Sequence, residues 1–321
     1  MYQLETIGFT KNMKLIKPSF EIIEQKPRDI VIPADMEIGP RMWKDELINS
    51  VYRQIEIAGR TCYKSEDKIT ETSAKEFVDR MVKSGHGAML EHGTVYLKVP
   101  NSVVDEGFQF GTNWSTLCLN PYTRYISDGD YYYYTTNYRV IIEHDLQGVL
   151  EYLCEPTEYH AKRITVKFIC DRGVSHEFVR HRVFSFAQES TRYCNYSKDK
   201  FNNCVTYILP NWCTNVNIED YERNPKLMYN ANGALTDNEI NFLCGLYDTE
   251  TRYLRLLENG WTPQQARAVL PNSLKTELIM TGTIEQWKGF FKLRDAGSAH
   301  PQAYELAHPL HEEFIKRGWI K

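Results

Sequence analysis

Apolar residues recur at helical spacing from Asp45 to Ala58, with Leu47, Ile48, Val51, Ile55 and Ala58 on one face. Gly59 follows as a stop signal, so Arg60-Thr61-Cys62-Tyr63 is read as leaving the helix. A second helix is predicted from the capping box Ser73-Ala74-Lys75-Glu76, with Phe77, Val78, Met81 and Val82 as its buried stripe and Gly85 closing it. Between them and the middle of the chain, His86 to His92 reads as a loop and Thr94 to Pro100 as a strand. Asp128-Gly129-Asp130 is a turn signal leading into the β-prone run Tyr131 to Thr136, and Leu146 to Leu153 is read as a helix. Ile164 to Cys170 alternates and is rich in β-branched residues, which predicts a strand. Asp171-Arg172-Gly173 turns it into a helical segment over Val174 to Arg182.

The last third is helical. One helix runs from Asp237 to Gly260 with Ile240, Leu243, Tyr247, Leu254 and Leu257. Capping boxes at Thr262-Pro263-Gln264-Gln265 and Thr283-Ile284-Glu285-Gln286 open two more. Trp287, Phe290, Phe291 and Leu293 make an apolar face, Asp295 to Ser298 breaks the helix, and Pro301 starts another that Pro309 should kink. Residues 1–40 are short apolar pieces broken by prolines, read as edge strands and loops. Residues 101–163 and 195–237 read as insertions, the latter as a long polar loop.

Composition narrows the class. A chain of 321 residues, 42% hydrophobic and 25% charged, is an ordinary globular protein. A net charge of −4 argues against a general nucleic-acid binder, so any polyanion site must be local. The eight cysteines are dispersed, with no Cys-x-x-Cys pair, and read as reduced thiols. No apolar run at the start is long enough for a signal peptide or membrane span, which makes the cytoplasm the expected location.

The chemistry concentrates in Arg180 to Tyr193. Arg180, His181, Arg182 and Arg192, with Ser185, Gln188, Glu189, Ser190 and Thr191, supply forked donors and hydroxyls suited to phosphate or carboxylate oxygens. Taken alone, an Arg-His-Arg triplet reads more readily as an exposed basic turn with surface ion pairs; the hydroxyl and amide groups that follow weigh against that. Ser190 has no His–carboxylate partner beside it, so it is a binding residue rather than a nucleophile. His86 and His92 lack the His-Glu-x-x-His spacing of a helical zinc site, and no metal is expected. No Gly-x-Gly-x-x-Gly fingerprint follows a predicted strand, which excludes Rossmann-type dinucleotide binding. Two further classes stay open on residues alone. One is another phosphate-binding transferase or hydrolase; the other is a single-strand nucleic-acid binder using Tyr131 to Tyr134 with Arg124 and Arg139.

Arg-His-Arg, seven residues, then Ser190 and Arg192 resembles the signature of the flavin-dependent thymidylate synthases. Gly85-His86 with Glu91-His92, Ala266-Arg267 with Leu270-Pro271, and Leu293-Arg294 are similar to further segments of that family, in the family's order. The resemblance covers about residues 45–100 and 164–318. It implies a mixed α/β (α+β) fold, a single catalytic domain over 1–321 with a central antiparallel or mixed sheet, flanking helices and insertions. It also implies reductive methylation of dUMP to dTMP, with methylene-tetrahydrofolate and NADPH as co-substrates and FAD as cofactor. By the same resemblance Arg294 activates the pyrimidine. Glu177, Arg180, Gln188, Glu189, Ser190, Arg192, Arg267 and Arg294 bind dUMP, and His86, Arg180, His181, Arg182, Thr283 and Gly289 bind FAD. A homotetramer with sites shared between subunits is implied, with neither nucleic acid nor membrane as partner. Glu177, Thr283 and Gly289 depart from residues frequent in the family, and Ala88 stands where a small hydroxyl residue is common.

Overall fold

Among the described residues four groups of buried apolar residues organise the chain, and a four-stranded sheet carries the one nearest the motif. The computed structural model describes residues 13–28, 39–107, 112–219 and 234–321. The sequence expectations for 1–12, 29–38 and 220–233 lie outside the described residues. The strands are β1 (Lys14–Ile16), β2 (Ser19–Ile23), β3 (Thr94–Pro100), β4 (Arg124–Ser127), β5 (Tyr131–Asn137), β6 (Arg163–Asp171), β7 (Ser185–Gln188), β8 (Thr206–Ile208) and β9 (Lys275–Thr283). The α-helices are α1 (Pro40–Tyr63), α2 (Ser73–Lys83), α3 (Gly87–Leu90), α4 (Asn101–Gly107), α5 (Asn113–Leu119) and α6 (Tyr138–Glu143). They continue with α7 (Arg172–Phe178), α8 (Asp237–Glu258), α9 (Pro263–Ala266), α10 (Ile284–Arg294) and α11 (Pro301–Lys316).

The main sheet has the order β2-β6-β9-β7, and every pair in it is antiparallel. Alternate residues of β9 serve its two faces. Leu278 and Met280 join Trp287, Phe290 and Leu310 under α10 and α11, whereas Ile279 meets Ala58 of α1 and Ala187 of β7. A second antiparallel sheet, β3-β5-β4, packs with α1, α2 and α4 to α6 around Val51, Ile55, Leu97 and Tyr134. The parallel pair β1–β8 joins α8 and α9 around Leu15, Tyr207 and Tyr253. The mixed α/β class expected from the sequence is the one found.

Several local expectations are corrected. Gly59 does not stop α1, which runs on to Tyr63 and ends at Lys64 in the left-handed conformation (φ 48°). Gly59 is required for a different reason: a Cβ there would lie 2.3 Å from the Phe77 ring of α2. Gly59→Ala, normally favourable inside a helix by about 0.5–1 kcal/mol, is therefore expected to destabilise by about 1–3 kcal/mol. Denaturant titration of the variant checks the sign. Ser73 does not cap α2; its hydroxyl donates to Glu56 Oε2 (2.9 Å), and Val82 is exposed rather than buried. The segment after His86 is a short helix, α3, rather than a loop, and Leu146 to Leu153 gives a 3₁₀ helix over Gln147–Tyr152. Pro309 lies inside α11 on its exposed side, and the helix runs through it from Pro301 to Lys316. The capping boxes at Thr262 and Thr283 are both formed.

Glu250 of α8 is 2% exposed and accepts from Val205 N (2.6 Å) beside β8. Burial dominates and lifts its carboxyl from 4.5 to about 7, against the N–H bonds from Val205 and Met13. The folded state therefore prefers the protonated form. Its contribution is complete below about 4.5 and is lost as pH rises through about 7. Glu250→Gln is expected to flatten the fall in stability across that window, an effect on the order of 2–3 kcal/mol. Melts at pH 4 to 8 on both proteins would show it, and parallel curves would contradict it.

Candidate active site

The Arg180–Tyr193 stretch wraps one edge of the main sheet. Asp171 ends β6 and caps α7 by accepting from Val174 N (2.8 Å), so the chain reverses at the sheet edge. After α7 a tight turn carries Arg180, His181 and Arg182. The chain then returns as edge strand β7 and turns again at Ser190 to Tyr193. Four residues of strand span ~13 Å, so Arg-His-Arg and Ser190–Arg192 lie at opposite ends of β7 and do not converge within one chain.

At the first end, Arg294 is fixed by three hydrogen bonds. Its Nε donates to His181 Nε2 (3.1 Å), one terminal amino group donates to the Glu177 carboxylate, and the other donates to the Glu177 carbonyl (2.8 Å). Of five guanidinium N–H groups, two remain free to meet a ligand. Burial, then the charge of Arg294, pushes His181 down to about 4. It is therefore neutral near pH 7, which suits it to accept from the arginine. Gln286 of α10 donates to Val183 O (2.9 Å) and pins the same turn. Arg180 and Arg182 are exposed, and neither forms an ion pair with a carboxylate among the described residues. Thr283 is occupied as the cap of α10, accepting from Gln286 N (3.3 Å), and Gly289 opens onto free space on that helix.

At the second end, Ser190 N donates to Cys62 O (3.0 Å), which ties the turn to the end of α1. Arg192 is exposed with its guanidinium over the Tyr193 ring (5.2 Å), and Arg267 donates to Thr191 Oγ1 (3.2 Å). Ser190 Oγ accepts from Arg192 N (3.4 Å) and has no histidine partner among the described residues. Gln188 donates to Ser175 Oγ and Thr276 Oγ1, and Glu189, 2% exposed, is turned inward to Lys275 and Tyr196. Both side chains are thus committed to the protein.

His86 lies at the side of a cleft of about 880 Å³ between α1 and α2. Its Nδ1 is 2.8 Å from Tyr63 OH, and Tyr63 meets Tyr193 at 5.8 Å between ring centroids. Tyr63, Phe77, Met81 and Tyr193 give the cleft apolar surface; Lys68, Arg80, Lys83 and Lys200 make it cationic against Asp67, while Arg60 is paired to Glu56 and Lys64 to Glu66 and Glu277. Sequence reasoning missed Tyr63 and these cations, because they become neighbours only where α1, α2 and the segment around Lys200 meet. His92 is fully buried, 2.8 Å from Thr281 Oγ1, and burial, then Arg163, lowers it to about 3. It is a neutral core histidine. No group of three or more His, Cys, Asp or Glu side chains is arranged to hold a metal among the described residues. Among the same residues no helix is long and apolar enough to cross a membrane.

The thiols do not compensate for the missing nucleophile. Burial pushes Cys62, Cys118, Cys154, Cys170, Cys194 and Cys213 above the usual thiol range, which disfavours the reactive thiolate. Tyr133 and Tyr134 are buried in β5 and paired with β3, which removes two of the four rings from any stacking surface for single strands. Fold and site together define a mixed α/β protein that presents exposed guanidinium groups at both ends of β7, with no paired nucleophile among the described residues.

The family model described as thymidylate synthase complementing protein matches residues 156–317, half of the chain. The chain belongs to that family. The flavin-dependent thymidylate synthase of Pyrococcus furiosus is 29% identical over 180 residues, 56% of this chain and 65% of that protein. The chain thus spans slightly less than two thirds of that relative's length. The flavin-dependent thymidylate synthase of Corynebacterium aurimucosum is 24% identical over 257 residues, 79% of this chain and 71% of that protein. A crystal structure of the UMP/dUMP methylase PolB from Streptomyces cacaoi bound with 5-Br dUMP aligns over 95% of this chain and 93% of its own. The two share 15% identity, with a TM-score of 0.38.

Proposed function

We propose that the protein is a flavin-dependent thymidylate synthase. It would convert dUMP to dTMP in the cytoplasm, with 5,10-methylenetetrahydrofolate as carbon donor, NADPH as reductant and FAD as cofactor. The observation that carries this reading is Arg294, oriented by Glu177 and neutral His181 with two N–H groups in reserve. Methylating uracil requires electron density at C5. Paired donors on the N3/O4 edge stabilise negative charge there and push density toward C5. An arginine does this without a proton transfer of its own.

The residues present fit the cofactor. Arg180 and Arg182 lack protein counter-charges and suit a pyrophosphate, and the cationic cleft beside His86 has apolar surface for a ring system. When bound, FAD supplies hydride chemistry that no side chain possesses. Arg192, Ser190 and Arg267 would hold the dUMP phosphate and sugar, with Glu189 and Gln188 holding the turn that carries them. In the homotetramer with shared sites that the resemblance implies, the Arg294 end from one subunit would meet the Arg192 end of another.

Product formation tests the reading. Purified protein given dUMP, methylenetetrahydrofolate, NADPH and FAD is expected to release the C5 hydrogen of dUMP and yield dTMP, with no product when FAD is withheld. Release of that hydrogen without FAD, or no product with every component present, overturns it.

A further inference from the structure

Beneath the Ser190–Tyr193 turn lies a buried cluster of charges that neither the motif nor the resemblance accounts for. Glu277 of β9 is 5% exposed and pairs with three lysines: Lys64 (2.8 Å), Lys167 (2.6 Å) and Lys275 (2.5 Å). Burial alone would raise its carboxyl, yet the three ammonium groups outweigh it and hold it at about 2. Lys275 also donates to Glu189 Oε2 (2.8 Å), and Glu189 Oε1 accepts from Tyr196 OH (3.2 Å).

These groups join α1, β6 and β9 to the start of the turn. Lys64 is the C-cap of α1, two residues beyond the Cys62 carbonyl that holds Ser190 N. Lys167 belongs to β6. Glu189 N donates to the Glu277 carbonyl (2.8 Å), extending the β7–β9 ladder by one residue at the point where the turn begins. A buried carboxylate with three cationic partners is expensive to create and, once formed, expensive to disrupt: without its charge Lys167 has no carboxylate partner among the described residues, and Lys64 and Lys275 keep only Glu66 and Glu189. Such a cluster has one preferred arrangement, and the turn above it inherits that arrangement.

We propose that Glu277 is the positioning residue of the phosphate-binding turn. Through Lys64, Lys275 and Glu189 it holds Ser190 and Arg192 in the geometry that receives a nucleoside monophosphate. This inference rests on the dUMP reading above and adds a residue and a role to it.

The test is dUMP and deoxyuridine binding to the FAD-loaded full-length protein by calorimetry, with steady-state kinetics in parallel. Glu277→Gln is expected to weaken dUMP binding and raise its KM by tenfold or more. Affinity for deoxyuridine, which lacks the phosphate, and kcat at saturating dUMP are expected to stay within about twofold. Glu277→Asp, which keeps the charge, is expected to recover part of the dUMP affinity. Should Glu277→Gln fail to fold, Lys167→Met, which removes the β6 partner of Glu277 and lies outside the cleft beside His86, carries the same expectation. Dissociation constants for dUMP within twofold of wild type in a folded variant, or equal losses for dUMP and deoxyuridine, overturn the proposal. Wild-type protein that binds no dUMP removes the proposed function itself, a result distinct from either.

Discussion

Arg294→Ala is expected to take up FAD, bind dUMP and lose dTMP formation by on the order of 10³-fold in kcat, the scale on which removing a preorganised donor acts. The side chain lies at the end of α10, where it supports no core residue; the apolar packing of that helix is carried by Trp287, Phe290 and Phe291 on its buried face. Its loss removes donors and leaves the fold. It also strands Glu177 and His181, whose only role toward the arginine is to orient it. Arg294→Lys keeps the charge but replaces a planar fork with a point donor, and should recover little activity. Relief of the arginine's charge in Arg294→Ala, but not in Arg294→Lys, should let His181 rise part of the way from about 4, with burial, the larger cause, still holding it below its ordinary value. A two-dimensional NMR titration of the imidazole would show that rise, and a single-turnover assay would show the lost chemistry.

The second large effect is expected at Arg192. Its guanidinium is exposed, rests on Tyr193 and has no carboxylate partner among the described residues, so it is available to an anion. Arg192→Ala is expected to raise the KM for dUMP on the order of 10²-fold, the scale of a charge-assisted hydrogen-bonded pair worth about 1.5–3 kcal/mol. Flavin content and thermal stability should be unchanged, because the side chain covers only a surface ring. The result that would remove the residue from the phosphate site is equal loss of dUMP and deoxyuridine binding.

How much of this could be seen in the sequence varied with how local the cause was. Capping boxes at Thr262 and Thr283 were legible because the signal and the structure it makes are three residues apart. The box at Ser73 was not, since Glu56, seventeen residues back, recruits the hydroxyl. Gly59 signalled a stop but answers to Phe77 on another helix. Strand β9 went unread although it is central to the main sheet. Nearly all its residues are buried on both faces, so the alternation that marks a half-exposed strand is missing, and Lys275 and Glu277 obscure what remains. β7 was hidden inside the motif itself.

For the site, residue types and order were readable, but commitments were not. Nothing in the sequence distinguishes Arg180, which is free, from Glu189, which is buried against Lys275, or Thr283, which is spent on a cap. The separation of the two arginine groups along β7 also needed coordinates, because thirteen residues of sequence can fold back on themselves or not.

The account depends on uracil being activated by a guanidinium group and not by sulfur. 5-Fluoro-dUMP separates the two, because a cysteine added at C6 is trapped on the protein when the C5 fluorine cannot leave. Protein shown to turn over dUMP should be incubated with 5-fluoro-dUMP and methylenetetrahydrofolate, then weighed intact by denaturing mass spectrometry. The predicted result is the unmodified mass of the chain. A mass increase equal to the nucleotide plus methylenetetrahydrofolate, located on any of the eight cysteines, would contradict it.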